Sequence, residues 1–310
     1  MATWTPESPT AEPGAVPAVV APGGGRLREL VALGRRQPGG VAAVAILLLF
    51  GLVAAFPDAL APYDPTAYQQ WPDGRLLALS PPTRAYWLGT TYYGQDVLSQ
   101  LVAGTRVPMI VGVCSAFFIV FIGTNIGLLA GYFGRRLDDV LMRVTDVAFS
   151  LPFIPFAIVL AALFRPSLTN IVFAISIVQW RTCARVIRAL VLSLRERPFV
   201  LSVRAAGAGH VRILYGHILP NVLPLSLLYG AFGIAWSVLA EAGLSFLGFG
   251  DPQRLSWGQM IHFAFVTATI REAWWWVLPP GLCIMLLVFA CFFIGRVFEE
   301  IVFPRLREDT

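Results

Sequence analysis

Not one of the 310 residues is a lysine; all 23 basic residues are arginine. This absence excludes a Walker A phosphate loop, whose lysine reaches the β/γ-phosphates, and any Schiff-base lysine. If nucleotide hydrolysis is involved, another chain supplies it. Charge is scarce too. Only 13% of residues are charged and 57% are hydrophobic, against about 25% and 45–50% in a soluble domain. With a mean hydropathy of +0.70, the composition excludes an ordinary soluble enzyme, a disordered tail protein and a nucleic-acid-binding module. The apolar surplus belongs in lipid. The net charge of +5 lies on arginines scattered between apolar runs, where charge sets orientation. Cys114, Cys183, Cys283 and Cys291 form no CxxC pair, so they read as free thiols packed in membrane helices. His210, His217 and His262 have no metal-ligand spacing, and no serine, histidine and acid are arranged for nucleophilic catalysis. No metal and no cofactor of this chain's own is expected.

Apolar runs organise what is present. Residues 1–39 read as a cytoplasmic tail, disordered where Pro, Ala and Gly dominate, with a basic flank at Arg26, Arg28, Arg35 and Arg36. Residues 40–56 form a first span, just long enough for a bilayer core of about 30 Å. Arg35-Arg36 and Ala59-Leu60-Ala61 imitate a secretory leader, but the stretch before the apolar run is too long for one, so an uncleaved anchor is expected. Residues 57–106 are polar and proline-rich, an extracytoplasmic segment. A five-helix core over 107–303 follows, with spans at 107–131, 138–164, 169–192, 221–248 and 274–298, and then a cytoplasmic tail over 304–310. Pro152, Pro155 and Pro224 fall inside spans, where neighbouring helices can re-satisfy the freed carbonyls. The fold class is an all-α polytopic membrane protein of six transmembrane helices.

Arginine counts set the orientation. With the N-terminus inside, the inner segments hold Arg26, Arg28, Arg35, Arg36, Arg135, Arg136, Arg185, Arg188, Arg195, Arg197, Arg204, Arg212, Arg296, Arg305 and Arg307. The outer segments hold Arg75, Arg84, Arg106, Arg165, Arg254 and Arg271. Fifteen against six satisfies the positive-inside rule for an N-in, C-in chain.

The longest inner loop, 194–220, carries the most information. Pro198 favours a helix start. A short helix over 199–206, a bend at Gly207 and Gly209 and a second helix over 210–218 are expected, with Pro220 opening the next span. The small residues leave a surface that another protein can approach closely. This loop resembles the coupling loop of ABC-importer permeases. Arg204, Ala205, Ala206, Gly207, Arg212, His217, Ile218, Leu219, Pro220 and Asn221 match the pattern, while Leu201, Ser202 and Val203 stand where the family has Glu-Ala-Ala. Further boxes agree: Leu88-Gly89-Thr90-Thr91-Tyr92-Tyr93-Gly94-Gln95-Asp96-Val97-Leu98-Ser99, Leu128-Leu129-Ala130-Gly131-Tyr132-Phe133-Gly134, Glu241-Ala242-Gly243-Leu244-Ser245-Phe246-Leu247-Gly248-Phe249-Gly250, Ser256-Trp257-Gly258-Gln259-Met260 and Pro304-Arg305-Leu306-Arg307. Together, over roughly 26–307, they are similar to the C-type permease of dipeptide, oligopeptide and nickel importers.

The resemblance implies a type I ABC importer permease fold in the bacterial cytoplasmic membrane. It implies a second homologous permease, two ABC ATPase subunits that bind ATP and magnesium, and an extracytoplasmic substrate-binding protein. It also implies that 201–214 contacts the ATPase, with Ala208, Gly209, His210, Ile213 and Leu214 inside that stretch. The substrate it suggests is a short peptide, with nickel or another small solute as the alternative. A stand-alone secondary transporter is the reading from another class, but it would show internal repeats, which this chain lacks.

Other residues carry smaller expectations. Glu241, near the outer end of the fifth span, reads as a helix-paired carboxylate. Asp139, Arg143 and Asp146 have the spacing for ion pairs along one helix. Arg181, late in the fourth span, reaches the inner interface or lines a pathway. Trp274, Trp275 and Trp276 mark an outer aromatic belt.

Overall fold

The computed structural model describes residues 38–164 and 166–302. Most of the 1–39 tail, Arg165 and the 304–310 tail lie outside the described residues. Apart from two isolated bridges, Gln70 with Leu76 and Thr90 with Asp96, all regular structure among the described residues is helical.

The first span is α1, Pro38–Ala55, apolar around its whole circumference and burying only Ala43 and Phe50. Such a helix is suited to lipid contact. A short turn of helix, α2 (Pro57–Leu60), leads into the segment expected outside the membrane. There Thr90 is fully buried and donates to the Leu77 carbonyl at 2.5 Å. Asp96 caps α3 (Val97–Ala103), accepting from the Ser99 amide at 2.8 Å and the Ser99 hydroxyl at 2.6 Å.

Two helices form the centre, α4 (Arg106–Phe133) and α7 (Leu168–Leu194). Their seam is a stripe of glycines one turn apart. A Cβ at Gly123 would lie 2.7 Å from Cys183 Cβ, one at Gly127 2.7 Å from the Ala184 carbonyl oxygen, and one at Gly131 2.7 Å from Val191 Cβ. Lipid gives apolar helices no hydrophobic reason to associate, so close backbone approach over small residues supplies the packing.

Between them runs a broken helix. The expected span over 138–164 is two pieces, α5 (Arg135–Ser150) and α6 (Phe153–Leu163). They meet at 86°. Pro152 has no amide hydrogen and holds Leu151 in an extended conformation (φ −79°, ψ 117°), so the helix stops there. Three arginines of α7 brace α5. Arg188 holds Asp138 through two bonds at 2.5 and 2.6 Å, and Arg185 holds Asp146 at 2.6 Å. Arg181 donates to the Ala148 carbonyl at 2.5 Å. The expected pairing along α5 is therefore corrected: Asp146 turns across to α7, because a guanidinium there meets it head-on.

After the loop helix α8 (Pro198–Ala205), the chain re-enters helix at His210 and widens into a π-helical segment over Arg212–Ile218. It runs directly into α9, Leu219–Phe246. The widened turn lies just before Pro220, whose ring would clash with the carbonyl four residues back in a regular helix. Two further helices follow among the described residues, α10 (Trp257–Val266) and α11 (Trp274–Val302). At 10 residues, α10 rises about 15 Å and is too short to cross a bilayer.

Among the described residues four helical stretches are each long and apolar enough to span a membrane, and the bent α5–α6 pair makes a fifth candidate. The fourth expected span, α7, has the length, 27 residues, but carries Gln179, Arg181, Arg185 and Arg188 from its middle onward. The aromatic-belt expectation holds in exposure for Trp274 alone. Trp275 and Trp276 are buried, and Trp275 donates from Nε1 to the Thr90 carbonyl at 3.2 Å.

Candidate functional site

The loop sits where the C-terminal ends of α4 and α7 meet the start of α9. Its entry is tied down by Arg195, which donates to the Gly131 carbonyl of α4 at 3.0 Å and to Glu196 at 2.9 Å. Pro198 then occupies the first turn of α8, as expected. Val200 is wholly buried there against the ends of α4, α7 and α9.

The helix ends in a Schellman motif. The Ala208 amide bonds back to the Val203 carbonyl at 3.2 Å, and the Gly207 amide to Arg204 at 3.0 Å. Gly207 supplies the left-handed residue this motif needs, with φ +81°, and Val203 and Ala208 pack against the same cluster. No atom lies within 4 Å of a Cβ built at Gly207, so a larger side chain there meets backbone strain rather than a clash.

Beyond the turn, His210 Nδ1 lies 2.9 Å from the Tyr132 hydroxyl. Its ring is 5.5 Å from that of Phe133, and Arg204 stands over the Tyr132 ring at 5.6 Å. Ile213, Leu214 and Ile218 of the π segment are buried with Leu128, Ile187 and Val191.

The expected site residues thus divide by face. Ile213, Leu214 and Ile218 are anchors, and Val203, Ala208, His217 and Leu219 are half-buried beside them. Leu201, Ser202, Arg204, Ala205, Ala206, Gly207, Gly209, His210, Arg212 and Pro220 are exposed. Val211, 71% exposed, and Phe199, 41% exposed, join that face. The exposed strip combines small residues, apolar patches and arginine, with Leu201 43% exposed within it. Sequence reading missed four supports: Tyr132, Phe133, Arg195 and Val200. Tyr132 and Phe133 lay in a quoted box, but nothing in the string says that the box folds under this loop.

Glu241 is elsewhere, deep in α9. It is buried, and its Oε1 accepts from the Ser245 hydroxyl at 2.6 Å, a bond along its own helix. Beside it α10 packs so tightly that a Cβ at Gly258 would lie 2.5 Å from the Ala242 carbonyl oxygen. The helix-paired role expected for Glu241 matches this geometry. Among the described residues no three His, Cys, Asp or Glu side chains cluster as metal ligands.

The helical arrangement, with several long apolar helices, is that of a multi-span membrane protein. The inward-facing MetNI methionine ABC transporter shares the fold, with a TM-score of 0.52 at 20% identity, covering 66% of this chain and 95% of that one. The model of the binding-protein-dependent transport system inner membrane component family matches residues 123–308, and the chain belongs to that family. Relatives include the oligopeptide transport system permease protein OppC of Mycobacterium bovis, 36% identical over 82% of this chain and 87% of its own. The dipeptide transport system permease protein DppC of Alkalihalophilus pseudofirmus is 33% identical over 86% of each chain. The nickel transport system permease protein NikC of Escherichia coli strain K12 is 34% identical over 85% and 93%. The protein is a multi-pass bacterial inner-membrane permease subunit of the ABC importers in the peptide and nickel group.

Proposed function

We propose that this chain is the six-span, N-in and C-in translocation subunit of an ATP-driven importer of di- and oligopeptides. The spans are α1, α4, the bent α5–α6 pair, α7, the π segment with α9, and α11. The chain pairs with a second homologous permease within membrane lipid. Each permease seats its 194–220 loop on one of two ATPase subunits, which bind ATP and magnesium. An extracytoplasmic binding protein delivers the solute.

The observation that carries this reading is the two-sidedness of the loop. One side is pinned by Val200, Ile213 and Ile218 to the ends of three long helices, and the other is exposed. The helix that emerges from the loop is continuous through the π segment into α9. A push on the exposed side therefore moves a packed bundle as a body, which is what switching between inward-open and outward-open states requires. The dipeptide and oligopeptide relatives support the peptide substrate, and the nickel relative supports the same machine acting on a metal.

The test is mild-detergent purification of the tagged chain from its native cell, followed by uptake in proteoliposomes. The proposal expects co-purification of a second permease and of P-loop ATPases, and peptide uptake that needs ATP and the binding protein. A chain that purifies alone and transports on an ion gradient without ATP contradicts it. ATP-driven uptake of nickel but not of peptide moves the substrate to the alternative.

A further inference from the structure

One arginine of the α7 ladder differs from its neighbours. Arg185 and Arg188 each hold an aspartate, but Arg181 pairs with no carboxylate among the described residues. It lies thirteen residues from both Leu168 and Leu194, at the midpoint of α7. About 20 Å of helix extends on either side of it. Arg185 and Arg188 of the inner segments follow it by one and two turns, and an arginine inside the run read as the fourth span is a candidate functional position. Its Nη1 donates to the Ala148 and Leu151 carbonyls, and its guanidinium stands 4.8 Å from the centre of the Phe149 ring. These contacts fix the side chain and leave the Nε–Nη2 edge without an acceptor among the described residues.

The side chain lines a cleft of about 550 Å³ between α4, the α5–α6 break, α7 and α9. Gln179, Thr182, Tyr229 and the buried Cys183 thiol add neutral groups to an otherwise apolar wall, and among the described residues no aspartate, glutamate or histidine lines it. A bare divalent cation there meets a positive charge and no carboxylate or imidazole ligand. A carboxylate meets a held guanidinium whose remaining edge matches its two oxygens.

We propose that Arg181 forms a carboxylate-binding subsite in this cleft, so that the solutes favoured for passage present a free carboxylate. The subsite rests on the reading of the chain as a translocation subunit, and it narrows the substrate class within that reading. The bland role of Arg181, a cap on the open carbonyls at the end of α5, predicts equal damage to every substrate when the arginine is lost.

The experiment uses the complete importer in proteoliposomes with saturating binding protein and ATP. The probes are labelled trialanine, its C-terminal amide, free nickel ion and a nickel–citrate chelate. The expected result is faster uptake of the free acid than of the amide, by about tenfold, the scale of one charge-assisted hydrogen bond. Arg181→Gln brings that ratio close to one, and Arg181→Lys keeps an intermediate ratio. Equal loss for acid and amide in Arg181→Gln, or an unchanged ratio, overturns the subsite. Uptake of the chelate alone, abolished in Arg181→Gln, supports the subsite while overturning the peptide reading. Uptake of free nickel ion in preference to the other three probes overturns both.

Discussion

The two ends of the bundle are built from different materials. At the end holding residues 57–106, α10 and the start of α11, buried polar bonds and tryptophans lock the chain. Trp257 donates to the Leu101 carbonyl at 3.0 Å, Trp275 donates to Thr90, and Asp96 holds Ser99. At the loop end the buried anchors are mainly aliphatic, Val200, Ile213, Leu214, Ile218 and Val191, with Arg195 on the Gly131 carbonyl and Tyr132 against His210 at its margin. Above them lies an exposed strip with few internal bonds. Directional bonds with bulky rings resist small displacements on every side, whereas aliphatic packing holds a segment from beneath and leaves its top free for a partner. The first end has the construction of a fixed cap and the second that of a handle.

The comparison breaks most visibly at Trp257. It is fully buried, and its ring lies 5.3 Å from that of Phe50. Trp257→Ala is expected to destabilise the folded chain by about 4 kcal/mol, as large-to-small changes of buried aromatics do. Thermal unfolding of the purified chain in detergent checks this, and the loop-end contacts should melt with the rest.

Ile213→Ala sharpens the contrast. The residue is completely buried beneath the loop, so the expected loss is about 3 kcal/mol. Coupling should fall further than stability does: ATP hydrolysis by the assembled complex persists while solute uptake per ATP drops. A mutant that loses uptake and hydrolysis in parallel would place Ile213 with the static cap.

Gly207→Leu comes next. Its φ of +81° with open space around the Cβ position limits the penalty to backbone strain of about 1–2 kcal/mol. The chain inserts and folds, but the turn that presents α8 shifts, and uptake uncouples from hydrolysis. Normal coupled uptake at normal expression argues against the handle.

Leu201→Ala is the smallest change. The side chain is exposed, so stability moves by no more than about 0.5 kcal/mol. ATPase recovery with the tagged chain is nevertheless expected to fall. Leu201→Glu, the residue that the coupling-loop resemblance implies at this position, should fold equally well and keep the ATPase bound.

These cases also mark what the string of residues could and could not say. Long-helix positions were legible because apolar runs must match bilayer thickness, and the ends of α1, α4, α7, α9 and α11 lie within four residues of the expected runs. The 86° break was half legible. Pro152 and Pro155 were visible, but whether a proline kinks or ends a helix depends on which neighbours take up the freed carbonyls, and here Arg181 does so from another helix. The glycine stripe of α4 went unread because Gly123, Gly127 and Gly131 look like ordinary membrane-helix glycines until α7 is placed against them. In the loop, Pro198 and Gly207 announced the start and stop of α8 through local backbone chemistry. Its undersides could not be read, since Val200 meeting Ile213 and the ends of α4 and α7 is a matter of tertiary packing. Trp275 and Trp276 misled for the same reason: an interfacial tryptophan and one buried beneath a polar segment have the same neighbours in sequence.

The central claim is that the loop end meets the ATPase and the opposite end does not. The direct measurement places a photo-reactive benzophenone amino acid at Leu201, and in a second chain at Trp87, which is 71% exposed in the 57–106 segment. Both intact complexes are irradiated and their adducts identified by mass. The account predicts an adduct between position 201 and an ATPase subunit, and none with the ATPase from position 87. An ATPase adduct from position 87, or its absence from position 201 in a complex that retains the ATPase, contradicts it.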